Sequence, residues 1–98
     1  MNTRALPDFA AFEAEARRRG FDEVLERHWA PNTVIDTHTH GFGVWAQVSR
    51  GEMWLTLGGQ TQHLKAGDQF TVAFEAPHAE RYGADGASYW VARRNRPA

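Results

Sequence analysis

The chain has 98 residues, 11 Lys plus Arg against 12 Asp plus Glu, and no cysteine. That length fits one domain with a core of its own, and the near-neutral balance offers no electrostatic footprint for nucleic acid or an anionic membrane surface. The missing thiols exclude disulfides, thiolate metal sites and cysteine nucleophiles, so any metal must be held by His, Asp, Glu or Gln. Apolar runs are only a few residues long, and no charged region followed by a greasy one opens the chain. Neither a spanning helix nor a secretory signal is expected, and a cytoplasmic address is the default.

The first element is a helix over LPDFAAFEAEARRRG, where Phe9, Phe12 and Ala16 recur at helical spacing while Glu13, Glu15, Arg17 and Arg18 take other faces. Pro7 and Asp8 suit its first turn, Arg17 to Arg19 suit the negative end of its dipole, and Gly20 suits the position just past its end. The next stretch, FDEVLERHW, fits either a helical extension or a first strand, and we read it as a strand.

From Thr33 the pattern becomes short alternating runs broken by turn residues: TVIDTHTH, GFG, VWAQVS, RGE, MWLTL, GGQ, TQHLK, AGD, QFTVAF, EAPHAERY, GADG and ASYWVARR. This cadence predicts an all-β antiparallel sandwich or small barrel carrying one N-terminal α-helix, with no room for crossover helices. Residues 1–31 form a helix and lead-in strand, 32–94 the barrel, and 95–98 a frayed tail. Alternation places Val44, Ala46 and Val48 inside, with Met53, Leu55 and Leu57 inside on a hairpin partner reached through RGE. Trp45, Gln47, Trp54 and Thr56 then face outward. The two tryptophans would lie together on that hairpin, under the Phe9 and Phe12 face of the helix or in a subunit interface.

His38 and His40 share a strand face, with alpha carbons roughly 6.6 to 6.8 Å apart, so their rings can converge. Period two from Pro77 puts His78, Glu80 and Tyr82 on one face. If that face is inward, a third imidazole, a carboxylate and a phenol enter the same cavity. His28, in a charged segment, and His63, beside core-facing Leu64, are set aside. Asp36 either orients a ligand histidine or caps a turn.

On these residues the chain resembles a small single-domain cupin. The first cupin motif, G-x(5)-H-x-H-x(3,4)-E-x(6)-G, is matched at His38, His40 and Gly51, with Asn32 in place of the leading glycine. Asn tolerates the left-handed backbone such a glycine usually adopts. The second, G-x(5)-P-x-G-x(2)-H-x(3)-N, is matched at Gly67 and His78, with Ala73, Glu75 and Tyr82 replacing its proline, glycine and asparagine. The family's glutamate ligand falls at Val44 or Trp45, neither of which binds a cation, and Gln47 is the nearest polar residue.

The resemblance implies a cupin-type antiparallel β-barrel or jelly roll with a metal site of His38, His40 and His78. It would hold a divalent first-row ion: Fe2+ for an enzyme, with Zn2+, Ni2+, Mn2+ or Cu2+ as other candidates. All-histidine iron cupins that it resembles cleave diketone-like compounds with oxygen. A dioxygenase-like reaction is therefore expected, with isomerisation or decarboxylation of a small enolisable or carboxylate compound as variants. Glu80 would be a general base or fourth ligand, or would pair with Arg81, Arg93 or Arg94 at the rim. Tyr82 would be a catalytic acid or a packed phenol. Val44, Ala46, Met53, Phe70 and Val72 are the expected apolar pocket lining. The partners are a small molecule and a second copy in a homodimer. The rival reading is a sensor module without catalysis, in a chain with no fused DNA-binding region.

Overall fold

The computed structural model describes residues 5–97. Helix α1 spans Phe9–Arg18 and starts where Asp8, in extended conformation, turns its carboxylate to accept the Ala11 N–H at 2.9 Å. This bond satisfies one of the helix's orphan donors. Gly20, at φ +87°, follows the last turn. Phe12 and Ala16, one turn apart, are fully buried. Replacing the cap, Asp8→Ala, should cost about 1 kcal/mol, read as a lower urea midpoint with an unchanged slope.

Strand β1 (Glu23–Trp29) confirms the strand reading of the ambiguous segment, and its seven residues all pair with the C-terminal half of β6. The remaining strands are β2 (Val34–His38), β3 (Gly43–Leu57), β4 (Gln60–Lys65), β5 (Gln69–Val72) and β6 (His78–Arg94).

Two of the expected turns are not turns. RGE lies inside β3 and GADG inside β6, so the anticipated hairpin is a single 15-residue strand running beside a 17-residue one. Both strands bend where their register shifts, between Val48 and Arg50 and between Gly51 and Met53. A β-carbon on Gly51 would come 2.1 Å from the Gly86 carbonyl oxygen, and one on Gly86 would come 2.5 Å from the Trp29 carbonyl oxygen. The glycines that read as turn punctuation are places where backbones press together.

The bend divides the antiparallel pairing into two faces. On one, β1 pairs the end of β6, which pairs the start of β3, which pairs β5. On the other, β2 pairs the start of β6, which pairs the end of β3, which pairs β4. Side chains pointing between the faces build the main core, including Val48, Met53, Leu55, Leu64, Tyr82 and Val91. A second cluster forms where Phe12 and Ala16 of α1 cover the outward Trp45 and Ala92.

The tryptophans accordingly have separate covers. Trp45 is stacked under Phe12 at 4.4 Å with the Arg19 guanidinium 4.1 Å from its centroid. Trp54 lies on the other sheet, stacked on His63 at 4.4 Å and under Arg81 at 3.9 Å. Within the expected tail, Asn95 is tied to Asp22 and Glu23; Ala98 lies outside the described residues, as do residues 1–4 of the amino-terminal unit.

Candidate metal centre

Strand β2 carries Val34 opposite Arg81, Ile35 opposite Glu80 and His38 opposite His78, which leaves one extra residue on β2. Ile35 packs on the main core. Strict alternation from it would turn Thr37 inward, and the extra residue instead gives His38 the inner position. The same bulge brings the Asp36 carbonyl to the His38 ring, where it accepts from Nδ1 at 2.7 Å. Asp36 thus orients His38 through its backbone rather than its carboxylate.

β2 ends at His38, so His40 sits in the following loop and not on the strand. That loop is held because the His40 carbonyl accepts the Glu75 N–H at 2.9 Å. His78 opens β6, and its Nδ1 donates to the Ala76 carbonyl at 2.9 Å. Asn32 and Glu75 both adopt left-handed backbone, at φ 60° and 58°. These are the two motif glycine positions where this chain has another residue, so the geometry persists after the residue has changed. Glu75 is exposed. Glu75→Gly should therefore raise stability by about 1 kcal/mol, checked by chemical denaturation.

The three imidazoles meet. Their ring centroids are 4.3, 4.6 and 4.8 Å apart, one nitrogen from each lies within 4.8 Å of the others, and His38 Nε2 is 3.1 Å from His40 Nε2. With the Nδ1 protons of His38 and His78 committed to carbonyls, a neutral ring presents its Nε2 lone pair to the centre. Burial, followed by the neighbouring His78 and His38, pulls His40 down to about 4, which keeps it in the neutral ligand form at neutral pH.

Glu80 faces the same point. Its Oε2 lies 3.3 Å from His78 Nε2 and 3.7 Å from His38 Nε2, while Tyr82 donates its hydroxyl to Oε1. None of the arginines expected at the rim pairs with it: Arg81 lies over Trp54, Arg93 reaches Glu23 and Phe42, and Arg94 reaches Phe21 and the Arg19 carbonyl. Acceptors therefore confront acceptors, and a proton or a cation must stand between them. A divalent ion fits this donor set, because three imidazoles of neutral form suffice for a first-row metal. Tyr82 is fully buried with its ring stacked on Trp29 at 4.9 Å. Burial pushes its phenol well above the usual tyrosine range, so it stays a donor to Glu80.

A cavity of about 170 Å³ opens onto these groups. Val44, Phe70 and Val72 line it as expected; Ala46 and Met53 do not, lying fully buried in the core behind. Val44, at the place of the family's glutamate, supplies only an apolar wall. Gln47 is 3 % exposed but points away, clamping the Leu6 backbone through two 2.9 Å hydrogen bonds. His28 bonds Ser88 and His63 bonds Glu52, both away from the centre.

Among the charged lining residues, Arg27 was not anticipated, and Arg93 was expected only as a partner of Glu80 at the rim. The signal was present, because alternation with inward Leu25 and Trp29 on β1, and with Tyr89 and Val91 on β6, turns both arginines inward.

Residues 7–93 match the family described as the AraC-like ligand binding domain. A segment of 45 residues is 40% identical to an uncharacterized HTH-type transcriptional regulator of Haemophilus influenzae, covering 46% of this chain and 15% of that protein. Among solved structures, a DMSP lyase superposes with TM-score 0.67 at 24% identity, over 72% of this chain and 37% of its own. An RmlC-like cupin from Shewanella frigidimarina superposes with TM-score 0.63 at 21% identity, over 76% and 65%. At these identities the structures show the fold, a cupin-type β-barrel, and the chain spans only a small part of the curated relative.

Proposed function

The chain belongs to the AraC-like ligand-binding domain family, and we propose that it is a metal-binding cupin acting on a small enolisable or carboxylate compound. The observation that carries the reading is the convergence of three imidazole nitrogens, with the Glu80 carboxylate beside two of them, at the head of a small cavity with apolar side walls. His38, His40 and His78 would hold the ion. A divalent ion bound there supplies Lewis-acid polarisation of a substrate oxygen, and Fe2+ adds redox capacity.

The chain's own groups do the rest. Glu80, held by Tyr82 and 3.3 Å from His78, would serve as general base or additional ligand, with Tyr82 as the positioning residue that fixes which oxygen faces the site. Apolar walls exclude water from the reacting carbon. The cavity volume resembles that of a void that accepts benzene, so a compound of about six to ten heavy atoms fits.

The test loads metal-free protein with Fe2+ or Zn2+ and adds a simple 1,3-diketone in air. Oxygen uptake with Fe2+ alone supports the dioxygenase-like reaction. Exchange of the enolisable proton in heavy water with either ion, and loss of that exchange in Glu80→Gln, supports isomerase or decarboxylase chemistry. Metal uptake without either reaction favours the second reading, a non-catalytic small-molecule sensor, which the family description and the regulator relative favour. The proposal includes a homodimer, for which light scattering should give twice the chain mass.

A further inference from the structure

Among the described residues, three buried side-chain polar atoms have no well-formed hydrogen bond: Trp29 Nε1, which makes only a loose approach to the Tyr89 hydroxyl, His40 Nδ1 and Arg93 Nε. All three residues line the same cavity. Native interiors seldom leave such groups unpaired, and a cluster of them at one place calls for an acceptor from outside the chain.

The charges agree. Arg27 and Arg93 both line the cavity, against one lining carboxylate, Glu80, whose two oxygens already face Tyr82 and the histidines. Arg27 has no ion pair or hydrogen bond among the described residues; its guanidinium lies 4.7 Å over the Trp29 ring. Arg93 has only the half-exposed Glu23 at 3.7 Å on Nη1, and lies 4.6 Å over Phe42. Each aromatic shelf is itself braced, Trp29 on Tyr82 and Phe42 on His40, the latter stacked at 4.5 Å and 4°. Guanidinium groups held over aromatic faces lose less freedom when they offer their paired N–H donors to a ligand. Two guanidinium groups at one cavity, one without an ion pair among the described residues and the other with only a half-exposed partner, favour an anion there.

We infer that the ligand is a small organic carboxylate, its carboxylate received by Arg27 and Arg93 and its other end directed at the histidines. This deepens the functional reading and rests on the cavity being the ligand site. A planar carboxylate matches the guanidinium fork, and the apolar side walls of Val44, Phe70, Val72 and Val91 suit a hydrocarbon body better than a polyol.

The test uses metal-free protein of all 98 residues, so that the ion cannot hold the probe, with benzoate and its neutral isostere benzamide compared by titration calorimetry. Benzoate should bind at least about tenfold more tightly, as expected for one charge-assisted hydrogen bond. Arg27→Gln should remove the preference, and Arg27→Lys should restore part of it. Arg27 has few other duties, so this variant should fold even where Arg93→Gln does not. Equal binding of the two probes, no binding of either at millimolar concentration, a preference surviving in Arg27→Gln, or tighter binding of inorganic phosphate would each overturn the inference. The outcome separates from the metal reading: protein that prefers benzoate yet never takes up zinc loses the metal and keeps the carboxylate site.

Discussion

His78→Ala should reduce bound metal from close to one ion per chain to below about a tenth, measured by elemental analysis of protein purified without chelators. His78 is 2 % exposed and is the only imidazole of the cluster supplied by β6. Its removal leaves His38 and His40, which come from one short segment, and the affinity loss should exceed the 10- to 100-fold that follows merely disturbing a ligand's support. Added zinc should raise the melting temperature of the parent protein through binding to the folded state alone and leave the variant unmoved. Far-UV circular dichroism unchanged between the two would place the loss at the site and not in the fold. If His78→Ala retains its metal, the ion is held elsewhere.

Gly51→Ala should destabilise the protein by roughly 3 to 5 kcal/mol, near the upper end for single substitutions. Two costs combine. The residue sits at φ +74°, where a β-carbon costs about 1 to 2 kcal/mol, and that carbon would lie 2.1 Å from the Gly86 carbonyl oxygen. Backbone cannot swing aside as a flexible side chain would. Gly86 is itself pressed against the Trp29 carbonyl, so relief at one contact is passed to β1, which carries Arg27 and Trp29 into the cavity. A loss below about 1 kcal/mol in equilibrium urea denaturation would mean that the two bent strands are not packed as described.

The helix was legible because its cap, apolar stripe and terminal glycine all agree on one segment. The inward residues of β3, and the shared face of His78, Glu80 and Tyr82 on β6, were legible because period two holds on each side of the bend, changing phase across it. What alternation could not supply was continuity: RGE and GADG look like turns, and only the pairing of β3 with β6 shows that Gly51 and Gly86 relieve a backbone contact instead. The histidine cluster was partly visible, since only Thr39 separates His38 from His40. Their common direction nevertheless depends on a bulge between Ile35 and His38 and on a loop bond from Glu75 to His40, neither of which leaves a mark in residue type. Val44 fills the β3 position of the family's glutamate, and the carboxylate beside the histidines is Glu80, which alternation already puts on the face of His78, two residues before it on β6. Arg27 was overlooked because a charged residue in a charged segment reads as solvent-facing.

Diffraction from zinc-loaded crystals, recorded on both sides of the zinc absorption edge, decides whether the three histidines share an ion. One anomalous peak is expected at about 2.0 to 2.1 Å from a nitrogen of each of His38, His40 and His78, with Glu80 beside it. No peak there, or one found only at His63 and Glu52 on the outer surface, would contradict a shared ion.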